Sequence, residues 1–121
     1  MTEMIKLSFI NEGKEFELVK LPVGGTLALS KYRSDNPDYT KDEMKKKLFD
    51  DRQIQQLKIL IAWSVKNKFD KLDVDDIMQQ MDAHCDLSEI VKIGNLVMKQ
   101  NFPEGDKRDR PKDEEEKNKS G

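Results

Sequence analysis

The chain has 121 residues, of which 22 are Lys or Arg and 24 are Asp or Glu, giving a formal charge of -2. That near balance supplies no sequence-independent pull toward phosphate backbones, so no nucleic-acid partner is expected. The longest apolar-rich run, Leu57 to Val65, is too short to cross a bilayer and is broken by Lys58 and Ser64, which excludes a membrane span. The single cysteine, Cys85, has no partner for an internal disulfide, and no basic segment followed by an apolar one opens the chain. Both features fit the cytoplasm.

In chain order, IKLSF alternates with Ile5, Leu7 and Phe9 on one side, the period of a half-buried strand. Asn11 to Lys14 carries turn-forming Asn and Gly, and Phe16, Leu18 and Leu21 return at strand spacing. Residues 4–21 therefore read as a β-hairpin. Pro22 stops the strand, Thr26 is placed to cap a short helix through LALSKYR, and SDNPDY reads as a loop because Asn36 precedes a proline.

TKDE at Thr40 to Glu43 is a capping box and opens the main helical part. Met44 and Leu48 make one apolar row, which Asp50 and Asp51 interrupt. Either one helix bends there or a new one starts at the aspartates. Beyond them, Ile54, Leu57, Ile61 and Val65 form a row with Ile59 and Trp63 roughly opposite, counting ~100° per residue. A helix apolar on two faces is central in its fold or keeps one face for a partner. Asp73 caps the next helix, with acidic residues in its first turn, and Asp86 with Glu89 forms a second capping box. The final helix carries Leu87, Ile90, Val91, Gly94, Val97 and Met98 on one stripe, with Gly94 open to close approach by another helix.

The fold class expected is α+β, mainly helical: an N-terminal hairpin packed on three to four helices, in one domain over residues 1–102. Phe9, Phe16, Leu57, Ile61, Ile90, Val91 and Val97 are the predicted core. Residues 103–121 contain no aromatic or aliphatic side chain and mix both charges, so they are expected to form a disordered charged tail.

Little in the sequence carries chemistry. One His and one Cys, adjacent at His84 and Cys85, do not complete a zinc site. The run Asp70, Asp73, Asp75, Asp76 fails as a calcium loop, because counting from Asp70 the sixth position is Asp75 and the twelfth is Met81. Helix capping accounts for these aspartates better. VGGT lacks the spacing and the lysine of a phosphate loop. No catalytic, cofactor-binding or metal-binding residue is assigned, no cofactor is expected, and an enzyme is not expected.

The order of parts does suggest a class. A short hairpin (IKLSFINEGKEFEL), a long apolar helix running into Asn67, Phe69, Asp75 and Asp76, a final amphipathic helix and a charged C-terminus resemble the tail assembly chaperones of long-tailed bacteriophages. The resemblance covers about residues 4–102 and departs from the usual compact turn at Lys71 to Val74. It implies a morphogenesis factor in the cytoplasm of the infected bacterium that binds the tape measure protein, promotes tail tube assembly and is absent from the mature virion. It also implies a frameshifted long form whose added domain recruits tail tube protein, with the segment from Pro103 as the flexible junction. A head-tail connector subunit and a small cytoplasmic adaptor or regulator are the alternative classes. Candidate partner-binding residues are Ile59 and Trp63, from the second face of the long helix, with Met78, Met81 and Met98, whose thioethers suit adaptable contacts. The surplus apolar surface also points to weak self-association, or to several copies along one extended partner.

Overall fold

The computed structural model describes residues 4–102, so the expected disordered tail lies outside the described residues. Strand β1 (Met4–Ile5) pairs antiparallel with β2 (Phe16–Glu17), Met4 opposite Glu17 and Ile5 opposite Phe16. The hairpin is present, with a ladder shorter than the alternation suggests. Successive turns take the amides that would extend it: Ile10 N donates to Leu7 O at 3.0 Å, Gly13 N to Ile10 O at 2.9 Å and Lys14 N to Asn11 O at 3.0 Å. Asn11, Glu12 and Gly13 all lie in the left-handed region, at φ 55°, 58° and 77°. Glycine adopts it freely and asparagine tolerates it, while Glu12 carries a strain of roughly 1–2 kcal/mol. The detour buries Leu7 and Ile10 in the core.

Helix α1 (Val23–Asp35) begins earlier than expected. Thr26 is not its cap; Pro22 precedes the first turn and accepts from Gly25 N at 2.9 Å. Two poor helix formers open the helix because of what they touch. A Cβ on Gly24 would lie 2.6 Å from Trp63 Cζ3, and one on Gly25 would lie 2.7 Å from Trp63 Cβ. Only a bare backbone fits against that indole.

Helix α2 (Lys41–Met44) starts at the expected capping box: Glu43 N donates to Thr40 Oγ1 at 3.2 Å and Thr40 N to Glu43 Oε1 at 2.8 Å. It ends after one turn. A new helix, α3 (Asp51–Lys68), begins at the aspartates, with Gln53 N donating to the Asp50 carboxylate at 3.0 Å. Leu48 therefore belongs to neither helix. Helix α3 is central: it packs against α1, against α4 (Val74–His84) and against α5 (Leu87–Asn101), and both its apolar faces are buried. Lys58, in the middle of that helix, is buried with its ammonium on the exposed Asp82 of α4. Asp73 caps α4, and Asp86 with Glu89 forms the second capping box at 2.8 and 3.0 Å.

Of the predicted core, Phe16, Leu57, Ile61, Ile90 and Val97 are buried, and Phe9 packs half-buried at its edge. Val91 is the correction, since it is 38% exposed and Ile93 takes the inward position. Gly94 sets that rotation. A Cβ there would meet Leu57 Cδ2 at 2.7 Å and Leu57 Cβ at 2.8 Å, so α5 lies directly on α3 along the side that carries Ile90, Ile93 and Val97. The hairpin's exit is held by side-chain amides in place of a further strand: Gln100 Nε2 donates to Leu18 O at 2.9 Å, Leu21 N to Asn101 Oδ1 at 2.8 Å, and Asn67 Nδ2 to Lys20 O at 2.9 Å. This joins the first elements to the ends of α3 and α5.

Candidate partner-binding surface

A partner meets only what the fold leaves outside, and the five sequence-nominated residues fare differently. Ile59 and Met81 are buried in the core and offer no surface in this fold. Met78 is half-buried against the core, and so is Trp63, whose ring abuts the two glycines of α1. Met98 alone of the five is exposed, at 38%. The apolar surplus read along Leu57 to Val65 is taken up by α1, α4 and α5, so that motive for self-association is absent from α3.

The outer flank of α5 forms a strip in its place. Leu87 is 48% exposed and, with Val91 and Met98, follows a spacing of four and then seven residues, which keeps the three on one side of a helix. Sequence periodicity merged this strip with Ile90 and Val97 of the inward side because they lie only about a quarter turn away, counting ~100° per residue. Only the packing of Gly94 on Leu57 separates them. Lys92 and Lys99 are exposed on the same helix and make no ion pair among the described residues.

Of the residues that carry the resemblance, Asn67 and Phe69 meet the hairpin at one joint. Asn67 bonds the hairpin exit at Lys20, and Phe69 packs edge-to-face on Phe16 with ring centres 5.2 Å apart. Asp75 and Asp76 occupy the first turn of α4, where their charge suits the helix dipole. A groove of about 340 Å³ opens beside this joint, lined by Phe9, Ile10, Phe69 and Leu72 together with Asn11, Lys68, Asp70 and Lys71.

His84 sits at the end of α4 with its ring 6.0 Å from that of Phe9. Burial, helped by Glu89 and Asp86, pushes the Cys85 thiol up to about 11, so it stays protonated and a poor nucleophile at neutral pH. Among the described residues no group of three or more His, Cys, Asp or Glu side chains is placed to hold a metal ion. Nor is any described helix long and apolar enough to cross a membrane. No family model, curated protein or solved structure matches the chain.

Proposed function

We propose that the chain is a non-enzymatic tail assembly chaperone of a long-tailed bacteriophage, acting in the host cytoplasm by binding the tape measure protein while tail tube subunits assemble. The observation that carries this reading is the order of parts together with their joint: a short hairpin, a central helix, and an Asn67–Phe69 turn that ties the two before an acidic-capped α4. The α5 strip of Leu87, Val91 and Met98 is the contact surface, since it is apolar, exposed and carried on a firmly packed helix. In this reading the charged segment from Pro103 joins the domain to the tube-recruiting domain of a frameshifted long form.

Two linked measurements test it. The tape measure protein should co-purify with the wild-type chain and be lost by the double variant Leu87→Glu with Val91→Glu. Mass spectrometry of purified particles should find tube and tape measure proteins without this chain. Recovery of the chain in particles at ring-like copy number would favour a head-tail connector instead.

A further inference from the structure

We draw no further inference here: the strongest candidate, the exposed apolar pair Leu48 and Phe49 in the turn between α2 and α3, lies among as many carboxylates as basic groups, and nothing in the structure shows what covers it.

Discussion

Gly94 and Trp63 each serve as the hinge of one helix contact, and single substitutions there separate competing effects. Replacing a helical glycine by alanine adds about 1 kcal/mol of helix propensity. At Gly94 the new methyl would lie 2.8 Å from Leu57 Cβ, an atom fixed to the backbone that no rotamer moves aside. Overpacking of this kind costs typically ~1–3 kcal/mol, so Gly94→Ala should lower stability in urea unfolding despite the better propensity. An increase would show that α5 does not lie on α3 as described. Trp63→Ala should cost about 3 kcal/mol, because the indole is what the glycines of α1 close upon. A melting temperature unchanged by that substitution would mean that the ring is not holding α1. The sequence showed that both residues sit on apolar faces. It did not show which neighbour each would meet, because periodicity reports the direction of a side chain and says nothing of the element opposite.

Element boundaries were legible wherever a side chain caps a helix. Thr40, Asp73 and Asp86 each accept an amide three residues on, as their positions suggested, and Asp50 does the same where the sequence left a bend or a new start open. Thr26 failed as a cap because Pro22 and the Trp63 contact start α1 sooner, and a contact between distant segments leaves no local signature. The same limit hid the amide clamp on the hairpin exit. Asn101→Ala should leave the Leu21 N–H without its acceptor, at about 1–3 kcal/mol, and hydrogen exchange at that amide should rise sharply. Unaltered protection would refute the clamp. The caps also set an acid limit. The Thr40 amide lowers the Glu43 carboxyl, the Tyr39 hydroxyl lowers Asp51, and the Glu89 amide lowers Asp86. A carboxyl held below its unfolded value stabilises the fold fully above pH ~4 and loses that contribution as pH falls through the folded value. Thermal melts should accordingly show no loss from these groups between pH 7 and 5 and a decline below 4; a higher melting temperature at pH 3 would contradict it.

For the whole molecule, the sequence yielded the mainly helical α+β class and the N-terminal hairpin because strand alternation, turn residues and capping boxes are all local signals. The contact surface was less legible. Of the nominated residues Met98 is exposed, whereas Ile59 and Met81 are inside, and Leu48, read as one row with Met44, lies outside any helix. Apolar character alone does not distinguish core from interface; burial does, and burial depends on how α5 turns about Gly94. Exposed apolar side chains remain on α1 (Val23 and Leu27), in the α2–α3 turn (Leu48 and Phe49) and along α5 (Leu87, Val91 and Met98), and the proposed function assigns the partner contact to the last of these. The proposed function is tested most directly by co-expressing the chain with the tape measure protein and analysing the soluble fraction by size-exclusion chromatography with light scattering. The account predicts a soluble complex that contains both proteins, with the tape measure protein insoluble when expressed alone. A tape measure protein that is equally insoluble with and without this chain, while the chain elutes by itself, would contradict it.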